Sequence, residues 1–256
     1  MSQKKKRYKM SKILLLHYWK LTYRSALFLA ALFIYILYRE DTMGFLSNLM
    51  DRAPFIFALI WGVLALEMVL RFIPSSFESM GCQKQFAKNY HPVHPENKKK
   101  AVSPNKGVLT SALAWISLNG IIGVLYFTGI IDEGVLVLIS LAYSVCDMIC
   151  ILFFCPFQTW FMKNRCCGTC RIYNWDFLMM CTPLFFIDSW YTRSLTLLAG
   201  ILFIKWEVTA FLHPERFCTE TNHALSCAEC EEKLCHHKTQ LRAFWKREHI
   251  FKQSDK

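Results

Sequence analysis

The chain has 256 residues, of which 54% are apolar and 19% are charged, and its mean hydropathy is +0.24. A soluble domain carries about 25% charged residues, so the low charge content favours a membrane protein. The 21 Phe and 8 Trp exclude a disordered chain, the 10 Gly exclude collagen, and 12 Cys in 30.0 kDa are too few for a small disulfide scaffold. The length fits one or two soluble domains, or about six membrane spans of about 20 residues each.

Six apolar stretches predict an all-α, polytopic membrane bundle of six transmembrane helices. The predicted spans cover residues 25–38, 54–73, 108–130, 134–156, 172–191 and 195–212. An apolar stretch at 13–23 extends the first span backwards and includes Lys20. The fifth span is the weakest, because only 177–187 is continuously apolar and Pro183 interrupts it. That stretch has about half the length that a span needs.

The lysines and arginines predict the orientation of this bundle. With a cytosolic N-terminus, six spans place 25 of the 30 basic residues in cytosolic segments and three in external loops. Because basic residues accumulate in cytosolic loops, we expect a multi-pass protein of the plasma membrane with both termini in the cytosol. The chain then has a basic N-terminal segment at 1–24, a transmembrane domain at 25–212 and a Cys/His-rich basic tail at 213–256.

The basic ends have two interpretations. They either serve topology alone or bind anionic lipid head groups at the cytosolic face. Residues 238–252 place apolar side chains at helical spacing among basic ones, which predicts a helix on the inner membrane surface. No nucleic-acid recognition motif accompanies the charge, so we do not expect a nucleic-acid partner.

Eight of the 12 cysteines lie in the segments predicted to be cytosolic. The reducing cytosol disfavours structural disulfides, so clustered cysteines there indicate metal ligands or redox thiols. Cys167 and Cys170 form one C-x2-C knuckle, and Cys227 and Cys230 form a second. The knuckles flank the fifth and sixth spans, and a helical hairpin returns its two ends to the same membrane face. Four thiolates there would bind zinc or an iron–sulfur cluster.

The identity of the metal stays open between iron–sulfur and zinc. Zinc is the more common partner of paired knuckles, whereas the surplus of thiols favours iron–sulfur. The further candidate ligands are Cys166, Cys218 and Cys235. The cysteines inside the predicted spans are expected to pack as small apolar side chains; these are Cys146, Cys150, Cys155 and Cys181.

Ionisable residues in the cytosolic halves of the spans predict an intramembrane polar pocket, because such residues face a bundle interior or a cavity. These residues are Glu67, Arg71, Asp147, Asp176, Lys205 and Glu207. Glu67 and Arg71 are four residues apart and can neutralise each other on one helix. Lys205 and Glu207 point to different faces, so we expect one of them to pair with Asp147 or Glu67. The pocket is either functional or only stabilises the bundle.

Three functions are compatible with these patterns. The first is a membrane redox protein that passes electrons from an iron–sulfur site to a quinone or a partner protein. The second is a transporter or channel with a structural zinc site and the polar pocket as its substrate site. The third is a membrane thiol oxidoreductase that uses Cys166 or Cys235. The sequence lacks the phosphate-binding, dinucleotide-binding, serine-hydrolase and zincin motifs.

Overall fold

The computed structural model describes residues 11–37, 54–74, 83–93, 105–163, 167–226, 234–235 and 237–239. Within these residues the regular structure is helical, with one isolated antiparallel bridge between Pro92 and Asn222. The α-helices are α1 (Lys12–Leu37), α2 (Pro54–Leu70), α3 (Asn105–Phe127), α4 (Glu133–Leu152), α5 (Asp176–Cys181) and α6 (Trp190–Leu212). The predicted all-helical architecture is therefore confirmed.

Four helices, α1, α3, α4 and α6, are long and apolar enough to cross a membrane. The apolar part of α2, Ala58–Leu70, is shorter. Large apolar side chains such as Leu29, Phe127 and Phe211 stand exposed on these helices. Exposed apolar surface on this scale is a mark of a membrane contact surface, which agrees with the apolar composition of the chain.

The first helix begins earlier than the sequence predicted. The start of α1 is capped by the hydroxyl of Ser11, which accepts a hydrogen bond from the Leu14 N–H at 3.1 Å. The predicted boundary at residue 25 therefore falls inside a continuous helix. The basic residues Lys20 and Arg24 lie within this helix, where acidic side chains of other helices neutralise them.

The predicted fifth span is a helical segment of mixed type. A 3-10 helix (Arg171–Trp175) leads into α5, which leads into a second 3-10 helix (Thr182–Phe186). The backbone stays right-handed helical at both joins, with φ −49° and ψ −48° at Asp176 and φ −56° and ψ −43° at Thr182. Pro183 lies in the first turn of the second 3-10 helix, where its missing N–H breaks no internal bond. The helical path is about 29 Å long, because a 3-10 helix rises about 2.0 Å per residue.

Contacts at the segment ends show the directions in which neighbours run. The Tyr35 hydroxyl near the end of α1 donates to Asp132, the N-cap of α4, at 2.9 Å, so these two helices are antiparallel. The helical stretch 171–186 is called the fifth segment below. Arg171, at its start, pairs with Glu207 near the end of α6 at 2.6 Å. At the other end of that segment, the ring of Phe186 lies 5.9 Å from the ring of the last residue of α3. The fifth segment therefore runs parallel to α3 and antiparallel to α6.

The chain after α6 folds back against the end of the bundle. Two short 3-10 helices, Pro214–Phe217 and His223–Leu225, are held there by Asn222, which is fully buried. The Asn222 amide donates to the carbonyl of Lys84 at 3.0 Å and to that of Arg216 at 2.9 Å. These bonds join the start of the tail to the segment between α2 and α3.

Candidate functional site

The first cysteine knuckle forms a tight turn. A 3-10 helix covers Cys167–Thr169, and the Cys170 N–H donates to the Cys167 carbonyl at 3.0 Å. Side chains three residues apart eclipse in a 3-10 helix, so the two sulfurs lie on the same side of the turn. The Gln85 amide holds the turn by donating to the Gly168 carbonyl at 3.2 Å. Both cysteines also line one cavity.

Cys170 lies buried within this turn. Burial, with the neighbouring Cys167 adding to it, raises the pKa of the Cys170 thiol to about 12. The thiol is therefore protonated at neutral pH when no cation is bound. Metal binding by a cysteine requires the thiolate, so a metal here would have to displace this proton.

The second knuckle lies outside the described residues, together with one of the further candidate ligands; these are Cys227, Cys230 and Cys166. The described residues on both sides of it contact the surroundings of the first knuckle. Upstream, the Asn222 amide donates to the carbonyl of Lys84. The next residue, Gln85, donates to the Gly168 carbonyl of the first knuckle. Downstream, the Lys238 ammonium lies 3.2 Å from the Cys167 sulfur. Both flanks of the second knuckle thus converge on the first.

The described part of the chain contains no complete cluster of metal ligands. Among the described residues, no three Cys, His, Asp or Glu side chains lie close enough together to hold a metal ion. Cys235 lies three residues before Lys238, and the Thr239 hydroxyl donates to the Cys235 carbonyl at 2.9 Å. The Cys218 carbonyl accepts from the Asn222 N–H at 2.9 Å, at the base of the folded-back tail. The described knuckle is a pair of ligands rather than a full set.

A cavity of about 130 Å³ opens between α3, α4 and the fifth segment, beside the first knuckle. Five cysteines line it: Cys146, Cys150, Cys155, Cys167 and Cys170. Aromatic rings and methionines form most of the remaining wall, together with Asp147, Asp176 and Gln158. The sequence analysis assigned the first three cysteines to ordinary packing. Cys146 and Cys150 are four residues apart and therefore lie on one face of α4. This spacing could have indicated that the two cysteines line the same cavity.

Two of these cysteines are neighbours at the end of α4. The Cys155 sulfur lies close enough to the Cys150 thiol for the two groups to interact. The Cys155 sulfur also accepts the Gln158 N–H at 3.4 Å. A donor aimed at this sulfur favours negative charge on it, and the thiolate is the nucleophilic form of a cysteine.

The polar pocket predicted inside the bundle has Arg24 at its centre. The buried guanidinium pairs with Glu67 of α2 at 2.8 Å and with Asp147 of α4 at 3.2 Å. It also donates to the Ser144 carbonyl at 3.2 Å. Lys20 pairs with the other oxygen of Glu67 at 3.2 Å. The sequence analysis placed Arg24 in the cytosolic segment. The predicted spans contain more acidic than basic side chains, and this excess could have indicated a buried cation from outside them.

The other charged residues of the pocket also bond between segments, whereas the sequence analysis expected a pair within α2. Arg71 pairs with Asp176 at 2.6 Å. Glu207 accepts from Arg171 at 2.6 Å and from the Trp175 indole at 2.7 Å. The Lys205 ammonium donates to the carbonyl of Phe72 at 2.8 Å and lies 4.9 Å from the centres of the Phe72 and Phe86 rings. Each of these charged side chains has a partner on another segment, as is expected of contacts that stabilise the bundle.

No protein-family model, curated protein or solved structure matches this chain.

Proposed function

We propose that the chain is a six-span plasma-membrane protein with a cysteine-ligated metal centre, iron–sulfur in type, that passes electrons from the cytosolic face to a membrane-dissolved partner. The observation that carries this proposal is the Cys167–Cys170 turn, with both flanks of the second knuckle beside it.

The topology rests on the direction of the segments. Four helices have the length and composition of spans, and the fifth segment runs parallel to α3 along a helical path of about 29 Å. The hydrocarbon core of a bilayer is about 30 Å thick, so this segment is long enough to cross it. With α2 as the second span, the six segments alternate in direction. The basic residues and the first knuckle then lie on the cytosolic face with both termini.

The ligand set follows from the positions of the anchors. Cys167 and Cys170 supply two thiolates on one side of a turn. Cys227 and Cys230 supply the other two, since Asn222 and Lys238 hold the chain on either side of them next to the first pair. Four thiolates complete either an iron–sulfur site or a structural zinc site. The surplus thiols Cys166, Cys218 and Cys235 favour iron–sulfur.

Positive charge beside the knuckle supports a redox role. Lys238 lies 3.2 Å from the Cys167 sulfur, and Arg171 follows Cys170 directly. Nearby positive charge stabilises the more negative, reduced form of a cluster, and charge of this kind is one of the main determinants of cluster potential. The polar pocket, in contrast, consists of paired charges, which favours a stabilising role over that of a transport site.

Metal content and colour test this proposal. The full chain is purified anaerobically in detergent, and iron, zinc and acid-labile sulfide are measured together with the visible spectrum. We expect a brown protein whose absorption bleaches with dithionite. Cys170→Ser should lose the iron, whereas Cys181→Ser, a buried cysteine away from the knuckle, should retain it. A colourless protein with stoichiometric zinc contradicts electron transfer and supports a structural zinc site. A metal-free protein contradicts both sites.

A further inference from the structure

The thiol-lined cavity contains groups that the metal centre does not use. Cys150 and Cys155 lie in its wall, outside both knuckles. Their side chains lie close enough to interact with each other, and the Cys155 sulfur accepts the Gln158 N–H at 3.4 Å. Cysteines that merely fill apolar space need no such pairing. The pair therefore indicates a role other than packing.

The cavity has the size and lining of a site for a single planar ring. Its volume is about 130 Å³, close to the roughly 150 Å³ of an engineered apolar cavity that binds benzene. Trp115 is central to the aromatic lining: its ring centre lies 4.7 Å from that of Tyr143 and 6.1 Å from that of Phe157. Methionines 179 and 180 add polarisable sulfur to the wall. Aromatic faces and methionine sulfur both favour contact with a flat, conjugated ring.

The backbone holds the two thiols in place. The Cys155 sulfur accepts the Gln158 N–H at 3.4 Å. Lys238 donates to the Cys150 carbonyl at 2.8 Å and so joins the end of α4 to the tail. A donor aimed at Cys155 stabilises negative charge on that sulfur, which is the charge that a nucleophilic thiol develops. Cys155 is thus the thiol better placed to carry negative charge, and Cys150 is the partner with which it forms a disulfide.

We propose that Cys150 and Cys155 form a redox-active dithiol that reduces a quinone ring bound in this cavity. Two S–H bonds break, one S–S bond forms, and two electrons and two protons pass to the quinone, which leaves as the hydroquinone. Exchange with a cytosolic dithiol restores the two thiols and oxidises that dithiol to its disulfide. The inference depends on the proposed function for the nature of the membrane partner, and it does not depend on a metal.

Duroquinone is the probe, because its four methyl groups leave no ring position open to addition of a thiol. The reduced full chain in detergent is mixed with duroquinone under anaerobic conditions. Hydroquinone is followed by absorbance, and free thiols are counted by maleimide mass shift after denaturation. We expect one hydroquinone per chain, the loss of two thiols, and a Cys150–Cys155 disulfide in the peptide map. This last measurement needs no variant.

Cys150→Ala and Cys155→Ala should each lower the yield of hydroquinone at least tenfold and keep the metal content of the wild type. Cys181→Ala, a buried cysteine of the core, should leave the yield unchanged. Loss of thiols at other positions would overturn the proposal, as would unchanged hydroquinone in the Cys150→Ala chain, since the electrons would then come from elsewhere. A metal-free chain that still forms the disulfide would overturn the metal centre alone, so the two failures are distinguishable.

Discussion

Removal of the Arg24 guanidinium tests the polar pocket most directly. Arg24 is 3% exposed and pairs with two carboxylates, those of Glu67 and Asp147. Arg24→Met preserves the length and apolar stem of the side chain but leaves both acids without this cation. Removing one partner of a buried ion pair costs about 3–5 kcal/mol, because the remaining charge is buried without compensation.

This free energy corresponds to a large thermal shift. In a chain of this size, each kcal/mol lowers the midpoint of unfolding by about 2–4 °C, so Arg24→Met should lower it by about 6–20 °C. Tryptophan fluorescence or near-UV circular dichroism of the purified chain in detergent measures the midpoint. Arg193→Met is the matched control. Arg193 and Asp188 form an ion pair whose side chains are 68% and 79% exposed, and such pairs contribute about 0–1 kcal/mol.

A compensated variant separates loss of charge balance from loss of packing. Arg24→Met combined with Glu67→Gln and Asp147→Asn removes the unpaired charges, so it should regain most of the lost stability. The reasoning is refuted if Arg24→Met unfolds within about 2 °C of Arg193→Met. It is also refuted if the neutralised triple variant is less stable than Arg24→Met alone.

Three further predictions concern other parts of the chain. Gly134→Ala should lower the free energy of unfolding by about 1–3 kcal/mol, because a Cβ there lies 2.7 Å from a tyrosine ring of α1; chemical unfolding of Gly120→Ala, which has nothing within 4 Å, should show no such loss. In the metal-free chain at pH 7, alkylation of Cys170 by iodoacetamide, followed by mass spectrometry, should be slow, because its pKa of about 12 keeps the thiol protonated; alkylation as fast as that of a free cysteine would contradict this. Asn222→Ala leaves buried carbonyls without donors, each costing about 1–3 kcal/mol, so trypsin should cleave the tail sooner; an unchanged cleavage rate would count against the anchor.

The long apolar helices could be predicted because hydropathy is a local property. The stretches that became α3, α4 and α6 are apolar over nearly their whole length. The start of α1 could not be placed in the same way. Lys20 and Arg24 lower its local hydropathy, and their acidic partners are far away in sequence: Asp147 lies 123 residues beyond Arg24. A buried ion pair is a tertiary property that composition within a window does not contain.

The candidate site was likewise predictable only where it depends on local sequence. The turn of the first knuckle follows from the two-residue spacing of Cys167 and Cys170, and the structure has it as a 3-10 helix. The cavity depends on the approach of the fifth segment to α4, where the Ser140 hydroxyl donates to the Met180 carbonyl at 2.8 Å. Because Cys150 and Cys155 become paired only where α4 ends, their packing role in the sequence analysis was a reasonable but incomplete interpretation.

The position of Arg24 has a consequence for biosynthesis. Glu67 follows Arg24 by 43 residues and Asp147 follows it by 123. At a synthesis rate of about 5–20 residues per second, the second carboxylate emerges about 6–25 s after the arginine. During that interval the Arg24 guanidinium lacks Asp147 and has the Glu67 carboxylate as its acidic partner from α2. An arginine at the centre of a membrane span costs about 2.5–3.5 kcal/mol, so the complete neutralisation of Arg24 has to wait for the synthesis of α4.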